Sequence, residues 1–376
     1  MMPCFVPRWG RWLPLLFSAV WALLVARPAQ AYPQFVFKGY GDCNSCHHSP
    51  TGGGLPNRWG LDSLSPSFGA TPDWGNQDLS YDSAAPGAVK VDLGADLRLM
   101  PLLSADSDAV APAFIPMLTE LGGAVALGHW MAYGTVTGRK LYGDGPSFAA
   151  SSREHWLKFQ PSEGLDLRVG RMVLPFGTRI PDHTQYTRED FEQDKYDQSY
   201  GAELDVRANG WSLFANAFAG DLTYRPRERQ ERGLVLTPSV DLGSTANIGI
   251  SLLGATSTAR SRLAASLFGR TALGSSLYLL AEVAAQHFAA KEGSDELSTL
   301  ADYLRVGWFA KPSLDVYVEA GHRTFVDGNG LSKARAALGL NWQVFRWFEF
   351  APQFEVETRT DLPARFIGMG QLHLVY

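Results

Sequence analysis

From Lys90 to the C-terminus the chain alternates with a period of two, which constrains its fold more than any other feature. Val89, Val91, Leu93, Ala95, Leu97 and Leu99 interleave with Lys90, Asp92, Gly94, Asp96 and Arg98. The pattern returns as Ala202, Leu204 and Val206 against Glu203, Asp205 and Arg207, as Leu314, Val316 and Val318 against Asp315, Tyr317 and Glu319, and as Phe348, Phe350, Phe354 and Val356 against Glu349, Gln353, Glu355 and Glu357. Successive side chains on a strand point to opposite faces, so each run has one apolar and one charged face. Turn signals separate the runs: Gly164, Asn209-Gly210, Gly243, Gly274, Pro312 and Asp327-Gly328-Asn329-Gly330.

The spacing predicts an all-β chain with strands near 88–100, 113–126, 129–141, 152–160, 165–174, 198–208, 211–221, 231–241, 245–256, 259–269, 273–288, 298–310, 312–324, 331–342, 345–358 and 364–376. That is about sixteen, an even number, as a single-chain outer-membrane β-barrel requires. Such barrels have short turns on one side and longer loops on the other. Connections after even strands are short (127–128, 161–164, 209–210, 242–244, 270–272), and most after odd strands are longer (101–112, 142–151, 175–197, 222–230, 289–297). The connection after strand nine breaks the rule and leaves fourteen strands open. Leu372, Leu374 and Tyr376 share one face of the last strand, like the terminal strand of outer-membrane barrels. A soluble β-sandwich or β-helix is the alternative, but the repeatedly charged inward face suits lipid outside and water inside.

Composition narrows the class further. The chain has 376 residues, 45% of them hydrophobic, so it is no disordered polymer. Beyond residue 31 no apolar run reaches the roughly 18 residues of a membrane-spanning helix. A net charge of −5 argues against a general nucleic-acid binder. Residues 1–31 read as a secretory signal peptide, with Arg8 and Arg11, an apolar stretch from Leu13 to Val25, and Ala29-Gln30-Ala31 as the cleavage site. Its removal leaves a chain of net charge −8 whose only cysteines are Cys43 and Cys46.

Those cysteines belong to Cys43-Asn44-Ser45-Cys46-His47, the C-x-x-C-H pattern of covalent c-type haem attachment. Two thiols at this spacing can each bond a haem vinyl group, which places the His47 imidazole under the iron as proximal ligand. A Cys43–Cys46 disulfide leaves the histidine without a use. A zinc site from Cys43, Cys46, His47 and His48 asks four ligands within six residues to reach tetrahedral geometry. The Gly- and Pro-rich stretch His48 to Pro56 either lets backbone pass close to a flat macrocycle or is a surface turn. His48 is expected to be solvated or to lie behind the ligands. The segment 32–60 is too small to bury a core of its own and must lean on the rest of the chain. Residues 61–88 read as a linker and 89–376 as the barrel.

With both ends on the periplasmic side, strand parity places His129, Met131 and His373 on the lumen face near that rim, as candidates for a distal haem ligand. His155, His287 and His322 fall on the lipid face, and His183 in the long loop. That loop, with Thr178, Arg179, Asp182, His183, Arg188, Glu189, Asp190, Glu192, Asp194 and Lys195, could fold inward as a constriction or stay a solvated loop. Ser, His and Asp residues are scattered without a catalytic ordering motif.

An exported C-x-x-C-H segment ahead of a porin-like barrel resembles the monohaem cytochrome-porin fusions of bacteria that exchange electrons with extracellular iron. In place of that family's Pro-Leu-Thr and Phe-Gly-Arg-like stretch, this chain reads Leu55-Pro56-Asn57-Arg58-Trp59-Gly60. Gly170-Arg171-Met172-Val173-Leu174-Pro175-Phe176-Gly177 resembles a strand-end motif of phosphate-selective-type porins. The resemblance implies one haem c, a periplasmic electron carrier, an external donor or acceptor such as iron, outer-membrane lipid as surroundings, and electron transfer rather than substrate turnover. The competing expectations are a passive solute or anion porin whose haem segment is a plug or sensor, and a peroxidase-like haem with an open distal face.

Overall fold

The computed structural model describes residues 46–52, 54–57, 60, 81–82, 89–107, 109–141, 147–180, 185–193, 198–220, 230–291, 296–326, 331–345, 347–360 and 362–375. The expected signal peptide, Cys43, the start of the 32–60 segment, His183 and nearly all of the 61–88 linker lie outside the described residues.

Sixteen strands form one closed antiparallel ring. They are β1 Lys90–Ala105, β2 Val110–Leu127, β3 Trp130–Leu141, β4 in two pieces (Ser147–Ser151 and His155–Ser162), β5 Leu165–Val173, β6 Gln198–Ala208, β7 Trp211–Phe218 and β8 Arg232–Asp241. The second half is β9 Ala246–Thr256, β10 Arg260–Leu273, β11 Leu277–Ala290, β12 Leu297–Lys311, β13 Leu314–Phe325, β14 Ser332–Phe345, β15 Phe348–Arg359 and β16 Leu362–Val375. Each strand pairs with its successor, and β16 closes on β1 from Phe366↔Ala105 to Val375↔Asp96. A two-residue strand, Tyr81–Asp82, pairs with Val91 and Lys90 at the foot of β1, below the end of β16. Both ends of the barrel therefore share one rim, the near rim, with the tight turns at Gly128, Gly164, Gly210 and Gly274, all of positive φ.

The two faces invert the usual arrangement of a protein. Leu121, Leu263 and Phe354 point outward with 64%, 66% and 70% of their surfaces exposed, while Asp96, Glu120, Arg168, Glu203, Arg305 and Glu319 are buried inside. An apolar band of this extent is stable only against lipid, and in the closed ring each strand has a paired neighbour on both sides among the described residues. Inside, Glu319 holds Arg305 at 2.7 Å and Arg335 at 2.8 Å, so these inward charges are paired.

Three expectations are corrected. The turn near 270–272 lies instead at 274–276, because Thr271 is buried inward and continues the alternation until Gly274 (φ +90°) reverses the chain. The first connection shrinks to 106–109: β1 and β2 run on through Pro101, Pro112 and Pro116 with a bulge at Arg98/Leu99. The ladder from β1 to β16 lapses at Met100 and Pro101, where the proline ring removes a donor. Finally β4 is interrupted at 152–154, where the Glu154 side chain turns into the protein interior.

The long connection after β5 folds inward. Gly177 N donates to Ser251 Oγ (2.9 Å), Thr178 N to Glu282 Oε2 (3.0 Å), Gln185 Nε2 to Glu319 Oε1 (2.9 Å) and Tyr186 OH to Glu357 Oε2 (3.1 Å). Gly177 has φ +65°, and a Cβ there would collide with the Glu282 carboxylate. A single helical turn, α1 Tyr186–Glu189, carries Tyr186 into an apolar cluster with Leu174, Phe176, Phe191, Val235 and Leu253. Asp190 pairs with Arg323, and Phe191 O accepts from Arg262 Nη1 at 3.0 Å. The described parts of the loop, 174–180 and 185–193, thus lie inside the lumen against the β8 to β15 wall.

Candidate functional site

The opposite side of the lumen is taken by the residues around Cys46 and His47. Here the chain makes a small hairpin: His48 N donates to Leu55 O (3.2 Å), Asn57 N to Cys46 O (2.9 Å), and His47 bridges Pro56. The reversal between them uses Gly52 at φ +78° and Gly54 at φ +63°. The glycines therefore serve a turn and a close approach to the barrel wall, since a Cβ on Gly54 would land on the Tyr133 hydroxyl. Gly54→Ala is expected to destabilise the docked hairpin by more than about 1 kcal/mol. Limited proteolysis should cut the segment faster in that variant; unchanged cleavage would contradict this docking.

The hairpin takes its core from the barrel. Leu55 packs with Ala124, Tyr133, Trp156 and Met172, and Met131 adds to this cluster. Tyr133 and Trp156 stack with centroids 4.7 Å apart, and the Arg168 guanidinium lies 5.2 Å from the Trp156 ring. Polar contacts set the register. His48 Nε2 lies 3.0 Å from Asp92 Oδ2 on β1, and Leu55 N donates to Tyr133 OH at 3.1 Å. Arg168 donates to Ser49 Oγ (3.0 Å) and to Glu203 Oε1 (2.5 Å), while Asn216 Nδ2 donates to Glu203 Oε2 (3.1 Å). Arg179 Nη1 donates to Thr51 O at 2.8 Å, which joins the hairpin to the inward loop. His48, expected to be solvated or behind the ligands, is buried and paired.

Cys46 is buried, and its sulfur is in no disulfide among the described residues. The His47 ring is partly buried with Nδ1 enclosed. Burial pushes its pKa down to about 4, opposed by a backbone hydrogen bond to Gly54. A neutral imidazole beside a cysteine thiol fits what a c-type haem takes from these two positions, one iron ligand and one thioether bond; Cys43, which would form the other thioether, lies outside the described residues. Among the described residues no group of three or more His, Cys, Asp or Glu side chains is arranged to hold a metal ion.

The three distal candidates separate. His129 is exposed on the near-rim turn, with Nδ1 2.7 Å from Gln160 O. Met131 faces inward against the Leu55 cluster. His373 faces inward too, with Nε2 3.2 Å from Asp96 Oδ1, and Asp96 and its partner Arg98 are among the charges that act on His47. His155, His287 and His322 bond instead to Ser152, Ser298 and Ser332. The docking residues Asp92, Tyr133, Trp156, Arg168 and Glu203 were legible as inward positions, but nothing in their spacing marks them as partners of a segment about 40 to 150 residues upstream in the chain.

No protein-family model and no curated protein sequence matches the chain. Solved structures do resemble it. OmpT of Vibrio cholerae with loop L8 deleted, an outer-membrane protein, superposes with a TM-score of 0.63 at 11% identity, over 77% of this chain and 100% of that one. The anion-selective porin from Comamonas acidovorans gives 0.61 at 9% identity over 77% and 100%, and Salmonella typhi OmpF in complex with daunomycin 0.61 at 9% over 79% and 100%. At such identities the likeness is one of fold, and the fold is the sixteen-stranded antiparallel barrel of outer-membrane porins.

Proposed function

We propose that the chain is a bacterial outer-membrane electron conduit, with one haem c bonded to Cys43 and Cys46 and His47 as its proximal iron ligand. The observation that carries this reading is that Cys46 and His47, the last two residues of the C-x-x-C-H motif, begin a hairpin docked inside a closed barrel and fit the group. Haem supplies one-electron chemistry; the protein holds it within a layer that otherwise insulates. The wall keeps lipid away, Gly54 orients the His47 ring, and Asp92, Arg168 and Arg179 hold the hairpin. A periplasmic carrier would meet the near rim and an external donor or acceptor, such as iron, the far rim. The competing reading, a solute or anion porin with a haem-bearing plug, needs the same residues but no electron transfer.

The test uses liposomes holding the purified protein and a trapped redox dye. Reduction of the dye by an impermeant external donor should require the haem and vanish in Cys43→Ala/Cys46→Ala. Reduction that survives in that variant overturns the conduit reading. For the distal ligand we expect the absorption spectrum to change in His373→Ala and to stay as it is in His129→Ala and Met131→Ala. Three unchanged spectra would remove all of these residues from the iron.

A further inference from the structure

We propose that Ser332, His322 and Asp302 are a hydrolytic triad on the outer surface of the barrel, which cleaves acyl esters of outer-leaflet lipid. It needs no haem. No sequence motif joins these residues, but β14, β13 and β12 bring them together. Alternation sets all three outward, because the positions between them turn into the lumen: Tyr303 and Arg305 are buried there, Arg323 pairs with Asp190, and Arg335 with Glu319. Register places Asp302 opposite His322, and Ser332 opposite Thr324, one outward position closer to the far rim. His322 Nε2 lies 2.8 Å from Ser332 Oγ, and His322 Nδ1 lies 3.6 Å from Asp302 Oδ2. With its proton on Nδ1, the imidazole accepts from the serine hydroxyl and turns its N–H toward the carboxylate, the order of nucleophile, base and orienting acid. The other two outward histidines differ. His155 and His287 each meet a serine through Nδ1, and among the described residues neither has a carboxylate within ion-pair distance.

The surroundings select a lipid ester over a water-soluble one. Asp302 sits between Leu300 and Leu304, which face outward at 40% and 45% exposure, so the pair stands at the outer edge of the apolar band, where ionisable side chains cost stability. The Asp302 and His322 side chains are 49% and 41% exposed, open to an ester arriving from the leaflet. Toward the membrane centre the outward face narrows to small residues, Ala334 opposite His322 and Ala320 opposite Ala336, with Val318 opposite Leu338 beyond them. An acyl chain laid along this furrow brings its carbonyl to Ser332 at the headgroup level. Ser332 Oγ attacks the carbonyl carbon as its proton passes to His322 Nε2; the bond to the alcohol oxygen then breaks, and the alcohol leaves with that proton. Water repeats both steps on acyl-Ser332 and releases the fatty acid, so ester and water become acid and alcohol. Thr324, opposite Ser332, brings a hydroxyl that otherwise reaches Phe325 O at 3.5 Å, and it is the side-chain donor for the oxyanion. Asp302 is a positioning residue that holds the imidazole.

The experiment uses purified full-length protein in non-ionic detergent micelles that carry either phosphatidylethanolamine or an ester-acylated lipid A, with released fatty acid measured by mass spectrometry. Wild type should release fatty acid from at least one of them. Release from the phospholipid alone identifies a glycerol ester as substrate, and release from the glycolipid alone an ester of its sugar or of its hydroxyacyl chains. A fluorophosphonate should attach at Ser332, located by peptide mapping, and should label neither Ser332→Ala nor His322→Gln. Asp302→Asn and Thr324→Val should lower kcat by about 100-fold with KM unchanged. Ser298→Ala, which removes the serine that meets His287, should match wild type. A β-sheet circular dichroism spectrum equal to wild type shows that each variant has kept its barrel. Release that survives in Ser332→Ala, or a wild-type protein that neither releases fatty acid nor takes the label, would overturn the triad.

Discussion

Deleting residues 32–60 while keeping the leader is expected to raise single-channel conductance in planar bilayers severalfold. The sixteen strands pair with one another around the whole ring, so the barrel does not depend on the N-terminal segment for closure. What the segment contributes is occupancy: its described residues between Cys46 and Asn57 lie against β1 to β5, and the described loop residues 174–180 and 185–193 lie against β8 to β15, with Arg179 and Thr51 joining the two. Taking one insert away should uncover Tyr133, Trp156 and Met172 to lumen water and widen the path beside the remaining loop. Equal conductance of the deleted and full-length proteins would show that the segment does not restrict the lumen.

Arg168→Met is expected to be the most damaging single substitution at the docking site. Arg168 and Glu203 are each only 1% exposed, so removing the guanidinium leaves a buried carboxylate without its cation. Loss of one member of such a pair costs about 3–5 kcal/mol. The same change frees Ser49 from its donor and takes the cation away from the Trp156 ring, so the hairpin should loosen together with the wall. Urea unfolding followed by Trp fluorescence would show a lower midpoint, and the double variant Arg168→Met/Glu203→Gln should recover part of the loss because no charge is then stranded. A midpoint equal to wild type in Arg168→Met would mean that the pair contributes nothing to the fold.

Much of the barrel was legible because strand parity is a local property. β6 begins and ends where the alternation of Ala202 to Arg207 predicts, at Gln198 and Ala208, and most other strands fall within a few residues of expectation. The misplacements have physical causes of longer range. Proline reads as a breaker in sequence, yet Pro101 is tolerated because the ladder to β16 lapses there while the ladder to β2 holds. Arg270-Thr271-Ala272 read as a turn, yet pairing with β9 and β11 keeps those residues extended until Gly274.

The candidate site divides the same way. The C-x-x-C-H chemistry is carried by five consecutive residues and needs no partner to be recognised. The sequence by itself determined that the chain would be a barrel, apolar outside and charged within, because the period of two acts between neighbouring residues on one strand. It also carries the C-x-x-C-H motif on which the proposed haem rests. Only the tertiary structure decided that the hairpin of Cys46 and His47 lies in the lumen, that His48 is spent on Asp92, and that the long loop turns inward. Those outcomes depend on contacts between residues as far apart as Ser49 and Arg168 or Gln185 and Glu319. Such contacts have no period. They arise from the shape and charge of a cavity that exists only once sixteen strands have closed around it.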